Sequence, residues 1–247
     1  MTETKSPCFT MDGKEIPFQP GDTIMKAAMD AGEYIPHLCH HPELSPHGSC
    51  RVCIVKLNGR VRASCITPAE DGAQVASEDQ EINKLRKRII QMLFVEGNHF
   101  CPSCEVSGQC QLQALAYDLG MLDTHYDHFY PARQLDCSHP DIVLDRDRCI
   151  NCELCVRASR QLDNKNVFSL GGRGQQTHLQ ANAEGGLLKD TDVTISDRSQ
   201  HVCPVGALIP KQGNYPRISG ERIYDNTPIH EIGNVRPETL ETTGKQP

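Results

Sequence analysis

Eleven of the thirteen cysteines in this 247-residue chain stand in three spaced groups. The first is C-x10-C-x2-C-x11-C, at Cys39, Cys50, Cys53 and Cys65. The second is C-x2-C-x5-C, at Cys101, Cys104 and Cys110. The third is C-x2-C-x2-C, at Cys149, Cys152 and Cys155, completed by Cys203 after 47 intervening residues. Thiolates hold iron–sulfur clusters in fours, and a C-x2-C-x2-C run with a remote Cys-Pro, here Cys203-Pro204, is the pattern that wraps a 4Fe–4S cube. Three such groups in one chain predict a row of redox centres in a protein that carries electrons.

Each group has a competing reading. The first group predicts a 2Fe–2S cluster on a longer loop than the C-x4-C-x2-C of plant-type ferredoxins. Four cysteinates also suit tetrahedral zinc, although zinc ribbons pair two C-x2-C knuckles and one is present here. The second group offers three thiols, so a four-iron cube needs a further ligand. His99, two residues ahead of Cys101, is the candidate, because imidazole ligates iron and raises a cluster's potential when it replaces thiolate. The alternative is that His99 only hydrogen-bonds a sulfide, while Cys137 or solvent completes the site. The third group predicts a 4Fe–4S cube, with Pro204 removing a backbone donor next to the last ligand and helping to exclude water. Cys8 lies in a strand pattern and reads as a small buried hydrophobe. His37, His40, His41 and His47 crowd the first loop and read as groups that tune a cluster rather than ligate it. Gly171-Gly172-Arg173-Gly174 matches neither G-x-G-x-x-G nor a P-loop and reads as a hairpin turn. No nucleophile–base pair and no dinucleotide fingerprint is present, so no catalytic residue is assigned.

Composition narrows the class. The net charge of −7 argues against a nucleic-acid partner, which would call for a basic face. Hydrophobic content of 38% with 5% aromatics and no Trp is lean for one large core. Small modules tied by metal tolerate this, because bound metal supplies folding free energy that packing does not. The polar start of the chain has no secretory h-region, and no run approaches the ~18 apolar residues of a membrane span. An odd cysteine count without an export signal argues for metal over disulfides. The expectation is a cytoplasmic metalloprotein with no membrane segment.

The elements that must hold these groups are partly legible. Residues 8–18 read as a hairpin turned at Asp12-Gly13, and 53–64 as a second turned at Asn58-Gly59. Between them, Asp22 is expected to cap a short helix carrying Ile24, Ala27, Ala28 and Ala31 and ended by Gly32. Residues 77–97 predict the clearest helix. Ser77 and Gln80 stand at capping-box spacing, with an apolar stripe of Ile82, Leu85, Ile89, Met92 and Leu93 and with Lys84, Arg86, Lys87 and Arg88 mostly facing away. Further helices are expected over 111–119 and 153–162. From Lys211 onward Pro, Gly and polar residues dominate, and the expectation is a tail that builds no core and wraps a partner or stays loosely ordered.

The segments PHLCHHPELSPHGSCRVC, GNHFCPSCEVSGQC, RCINCELC and HVCPVGAL, in this order, resemble the N-terminal region of the large iron–sulfur subunit of respiratory complex I. The same region opens iron-only hydrogenases and forms the separate diaphorase-side iron–sulfur subunit of soluble NAD-reducing nickel–iron hydrogenases, which the chain resembles most. That resemblance implies an α+β chain with a β-grasp 2Fe–2S ferredoxin domain (1–78) and a helical His/Cys-ligated 4Fe–4S segment (79–120). A connector (121–140), a small ferredoxin-like 4Fe–4S module (141–210) and an extended tail (211–247) follow. It implies that Cys39, Cys50, Cys53 and Cys65 hold the 2Fe–2S cluster, that His99, Cys101, Cys104 and Cys110 hold one 4Fe–4S cluster, and that Cys149, Cys152, Cys155 and Cys203 hold another. The complex I pattern spaces its histidine H-x3-C, whereas this chain has H-x-C. FMN and NAD are implied on a flavin diaphorase partner, and a nickel–iron centre on the small and large hydrogenase subunits. The alternatives are the iron–sulfur subunit of an NAD-dependent formate dehydrogenase or complex I-like enzyme, or a free-standing ferredoxin-type shuttle.

Overall fold

Two-residue turns begin the first sheet. In the computed structural model, which describes residues 6–212 and 217–234, strands β1 (Cys8–Met11) and β2 (Lys14–Pro17) pair antiparallel. They turn at Asp12 and Gly13, both at positive φ (49° and 86°), the geometry whose twist matches a hairpin. Phe9, Met11 and Ile16 point to one face and are buried. Helix α1 (Ile24–Asp30) packs Ile24, Met25, Ala27 and Ala28 against that face. Its cap is Thr23, which accepts from Lys26 N at 3.1 Å, and not Asp22 as the sequence predicts. Asp22 instead closes the preceding turn, accepting from Gln19 N at 2.9 Å, so one residue of register decides which oxygen reaches the helix.

Strands β3 (Ile54–Leu57) and β4 (Arg60–Ala63) form the second hairpin, with Asn58 and Gly59 at positive φ. Strand β5 (Gln74–Ala76) then enters between the hairpins, parallel to β1 and antiparallel to β3. The five-stranded order is β2-β1-β5-β3-β4.

Helix α2 (Gln80–Glu96) leaves this sheet for the second cysteine group. It starts at Asp79, whose carboxylate accepts from Glu81 N and Ile82 N, and not at the Ser77 capping box. The expected apolar stripe is also revised: Met92 is 47% exposed, while Arg86 is fully buried. Ile82, Arg86 and Ile90 stand four residues apart, so they share the face turned to β3, and polarity alone misplaces Arg86. The guanidinium donates to the Ile54 carbonyl (2.8 Å), the Ser77 carbonyl (3.0 Å), the Ser77 hydroxyl (2.9 Å) and Asn83 Oδ1 (3.0 Å). It therefore staples the helix to the sheet through groups that would otherwise lack a partner. Arg86→Met is expected to destabilise the metal-loaded chain by about 3 kcal/mol, roughly 6–12 °C in Tm, because those acceptors stay buried. An unchanged thermal unfolding midpoint would contradict the staple.

Helix α3 (Gln111–Asp118) follows the second group, within one residue of expectation. A three-stranded antiparallel sheet then forms from β6 (Leu135–Asp136), β7 (Ile142–Asp145) and, later in the chain, residues Leu208–Pro210, with β7 central. The connector expected over 121–140 thus contributes a strand to the third module. Helix α4 (Leu154–Gln161) carries the end of the third cysteine triplet. Strands β8 (Phe168–Gly171) and β9 (His178–Ala181) make a hairpin across the glycine-rich run, where a Cβ on Gly172 would fall 2.1 Å from the Gln176 carbonyl oxygen. The run is a turn, as the sequence indicates. Helix α5 (Arg198–His201) leads to Cys203 and then to β10, the Leu208–Pro210 strand already placed beside β7.

The tail expectation needs correction. Of its described residues, Ile223 and Ile229 are buried, the latter in helix α6 (Ile229–Ile232) against α3. Tyr224 N donates to the Gly108 carbonyl at 2.9 Å, and His230 pairs with Asp118. Two isolated apolar residues anchor a segment whose average composition reads as coreless. The remainder, 213–216 and 235–247, lies outside the described residues. Among the described residues no helix is long and apolar enough to cross a membrane.

A central core explains how one chain can gather three cysteine groups. It combines Leu38, Leu44 and Val52 from the first loop, Ile90 of α2, Leu112 and Leu115 of α3, and Leu154 and Ala158 of α4. Each cysteine segment therefore contributes apolar side chains to the same interior.

Candidate metal centres

The first group closes around a loop that links α1 to β3. Cys39 and Cys53 are buried there, with Cys50 beside them, and Cys65 returns directly after β4. Cys53 Sγ lies 3.3 Å from Cys65 Sγ, and Cys50 N donates to Cys39 Sγ at 3.5 Å. The hydrogen bond from the Cys50 side chain draws the Cys39 thiol down to about 5, while Cys50 is pushed up. The bond from Cys65 likewise lowers Cys53 to about 7 and leaves Cys65 raised. A metal takes such ligands as thiolates. The nearby histidines have other engagements. His37 Nδ1 meets the Ile35 carbonyl at 2.8 Å, His41 Nδ1 accepts from Glu43 N at 3.2 Å, and His47 sits 3.2 Å from Glu153.

At the second group, His99, Cys101, Cys104 and Cys110 line one small hollow, walled by Phe94, Leu112 and Val205. The structure thus brings the histidine to the three thiols despite the shortened H-x-C spacing. Gly97 makes this approach feasible, because a Cβ there would fall 2.6 Å from His99 Nε2 and 2.5 Å from the Asp147 carbonyl oxygen. Asn98 fixes the turn by donating through its amide to Asp147 Oδ2 and the Pro131 carbonyl, each at 2.8 Å. His99 Nε2 is buried without a hydrogen-bond partner. Desolvation, with His128 and Arg148 adding to it, lowers the ring's pKa to about 4, so the imidazole is neutral. A buried neutral imidazole with a free nitrogen, in a hollow shared with three thiols, fits a metal centre and has no evident structural use. Cys137 is exposed and does not line this hollow.

The third group lines a second small hollow, with Cys149, Cys152, Cys155 and Cys203 around it and Ile150, Leu170, Leu179 and Leu208 as walls. Asn151 and Glu153 take positive φ (51° and 59°), which turns the backbone so that all three thiols of the triplet face inward. Burial pushes all four thiols up, Cys149 to about 12. Pro204 lends its carbonyl to Gln111 N at 3.0 Å, satisfying a first-turn donor of α3 and tying the third group to the second. Cys8 lies in β1 opposite Pro17, half-buried and apart from both hollows.

A lone tetrahedral zinc needs its ligands within about 2.3 Å of one point. Among the described residues no three His, Cys, Asp or Glu converge in that way. The donor sets, thiols in fours or three thiols with one imidazole, are those that hold iron–sulfur clusters.

Sequence spacing does not reveal how the groups neighbour one another. The third lies against both others. Val205 walls both hollows, and Arg148, which precedes Cys149, donates to Cys104 Sγ at 3.6 Å and pairs with Glu105 and Asp145. On the other side the thiol of Cys152 is raised in part by Cys39. Arg157 of α4 donates to the Cys39 carbonyl at 2.5 Å and the Ser45 carbonyl at 2.7 Å. Gly206 keeps the shared wall thin, since a Cβ there would meet Val106 at 2.7 Å. Arg148, Arg157 and Gly206 are missed by sequence reasoning, although Arg148 directly precedes Cys149 and Gly206 lies two residues beyond Pro204.

Three family models match successive parts of the chain. Residues 8–80 match a 2Fe-2S iron-sulfur cluster binding domain, 86–125 the NADH-ubiquinone oxidoreductase-G iron-sulfur binding region, and 142–209 a 4Fe-4S single cluster domain. The fold and its sites thus define an iron–sulfur electron-transfer protein. The chain is 37% identical over 237 residues to the gamma subunit of the NAD-reducing hydrogenase HoxS of Cupriavidus necator, covering 96% of this chain and 98% of the relative. It belongs to the family of that hydrogenase component. A crystal structure of NAD+-reducing [NiFe]-hydrogenase in the H2-reduced state contains a chain that is 49% identical, with a TM-score of 0.90, covering 93% of this chain and 98% of that one. Larger relatives share the region: the alpha subunit of the NADPH-Fe(3+) oxidoreductase of Geobacter sulfurreducens is 33% identical over 82% of this chain. The mitochondrial 78 kDa subunit of the NADH-ubiquinone oxidoreductase of Candida albicans is 30% identical over 82% of this chain. The chain spans 24% and 28% of the lengths of those two proteins.

Proposed function

We propose that this chain is the iron–sulfur wire of a cytoplasmic NAD-reducing hydrogenase, joining a flavin- and NAD(H)-binding diaphorase subunit to the small and large subunits of a nickel–iron module. The observation that carries the proposal is the placement of the third cysteine group against both others, which makes one contiguous row from three motifs. In this reading the first module is a β-grasp ferredoxin domain whose Cys39, Cys50, Cys53 and Cys65 hold a 2Fe–2S cluster. His99, Cys101, Cys104 and Cys110 hold one 4Fe–4S cluster, and Cys149, Cys152, Cys155 and Cys203 hold the other in a ferredoxin-like module. Such clusters, when bound, take up and release electrons singly, whereas NADH delivers a hydride, so a flavin on the partner must divide the pair.

The chain's own residues serve that role in defined ways. Leu170, Leu179, Leu208 and Val205 keep water from the third hollow, and Phe94 and Leu112 do so at the second. Low exposure and fixed hydrogen bonds at the sulfurs, such as Arg148 to Cys104, are the levers by which a protein sets cluster potential.

Co-expression with a flavin subunit and a nickel–iron module tests the assignment. The purified assembly is expected to be reduced both by NADH and by hydrogen, as read in the visible and EPR spectra of this subunit. The isolated chain is expected to bind no NADH and oxidise no hydrogen. Reduction by NADH without reduction by hydrogen, in an assembly containing both modules, would contradict the hydrogenase reading and favour another terminal module.

A further inference from the structure

Two arginines occupy the seams between neighbouring groups, and they differ in one respect. Arg148, between the third and second groups, is offset by carboxylates: Asp145 Oδ2 at 2.7 Å and Glu105. Arg157, between the third and first groups, is 8% exposed, and its hydrogen-bond partners are two neutral carbonyls, Cys39 O and Ser45 O. Its Nε is buried without a partner. Among the described residues no Asp or Glu forms an ion pair with it. A buried guanidinium without a counter-ion is costly to maintain, so its retention calls for an anion that the protein chain itself does not supply.

The clusters proposed for the two groups flanking Arg157 would supply that anion. Arg157 lies two residues beyond Cys155 on α4 and bonds the backbone of Cys39. A cluster ligated by four thiolates is anionic and becomes more so on reduction. A fixed positive charge beside it therefore favours the reduced form and raises the reduction potential. Arginine suits this task because it stays protonated even when buried, and its planar fork can hold two carbonyls while presenting its charge.

We propose that Arg157 is a positioning residue whose uncompensated charge raises the reduction potential of the 2Fe–2S cluster at Cys39, and secondarily that of the cube at Cys155. The proposal rests on the cluster assignment above. It adds that the seam between the first and third centres is set electrostatically by this one side chain. Electrons arriving at either centre are then stabilised by a cation that belongs to both.

The test is an EPR-monitored redox titration of the complete complex carrying Arg157→Gln or Arg157→Lys. In the Gln variant the oxidised-to-reduced ratio of the 2Fe–2S cluster at a fixed potential is expected to rise roughly tenfold, a fall of about 59 mV for one electron. In the Lys variant, which keeps the charge, the change is expected to stay below roughly threefold. Full cluster signals with an unmoved ratio in the Gln variant, or equal shifts in both variants, would overturn the proposal. Should the Gln variant fail to hold the first cluster, the Lys variant decides. Full loading at the parental potential supports the role of charge, whereas failure to load, or loading at a shifted potential, leaves Arg157 a hydrogen-bonding clamp and overturns it. Absence of cluster signals from the parent complex would instead contradict the cluster assignment, a result separate from any effect of Arg157.

Discussion

Replacing Cys152 with serine in the assembled complex is expected to lower hydrogen-driven NAD+ reduction by about a hundredfold or more, while NADH-driven reduction of an artificial dye stays within about twofold. The asymmetry follows from position. Cys152 belongs to the group that touches both neighbours, through Val205 and Arg148 on one side and Arg157 on the other. A defect there interrupts every path that crosses the chain, whereas dye reduction needs only the flavin end. The buried Cys152 thiol stands in the loop just before α4, walled by apolar side chains. An assembled mutant complex with both activities intact would show that the third centre lies off the path.

The second large effect concerns His99. His99→Cys is expected to retain four irons at the second group and to lower that cluster's potential by on the order of 100 mV, because thiolate donates more charge than imidazole. The geometry favours an outcome specific to ligation. Nε2 is buried and unpartnered, the ring is neutral at physiological pH, and three thiols share its hollow. If His99 only hydrogen-bonded a sulfide, the substitution would leave the ligand set and the main spectroscopic features in place. An unchanged potential would therefore reject histidine ligation, and Cys137→Ser, at an exposed thiol outside the hollow, serves as the control with intact iron content.

What the sequence makes legible here is what local chemistry determines. Asp12-Gly13 and Asn58-Gly59 announce their hairpins because two adjacent residues at positive φ are enough to turn the chain. The cysteine triplet is legible for the same reason, since its spacing is set within one loop. The N-terminal boundary of α2 is less secure, because Ser77, Asp79 and Gln80 all carry capping chemistry and only the backbone geometry at Asp79 selects among them.

The illegible features are non-local. Arg86 and Arg157 are surface residues by polarity, yet each is buried because carbonyls distant in sequence, Ile54 O for one and Cys39 O for the other, need donors. The placement of the third group between the first and second depends on the core shared by α2, α3 and α4, which no motif encodes. The tail shows the same limit. Ile223 and Ile229 are too sparse to form a periodic signal but find buried positions once α3 is in place.

The central claim, that three groups of side chains hold three iron–sulfur clusters, is tested most directly by metal and sulfide analysis of the chain folded and purified without oxygen. One 2Fe–2S and two 4Fe–4S clusters predict about ten irons and about ten acid-labile sulfides per chain, with broad sulfur-to-iron charge-transfer absorbance that bleaches on reduction. Stoichiometric zinc in place of iron, with no labile sulfide and no visible absorbance, would contradict the account.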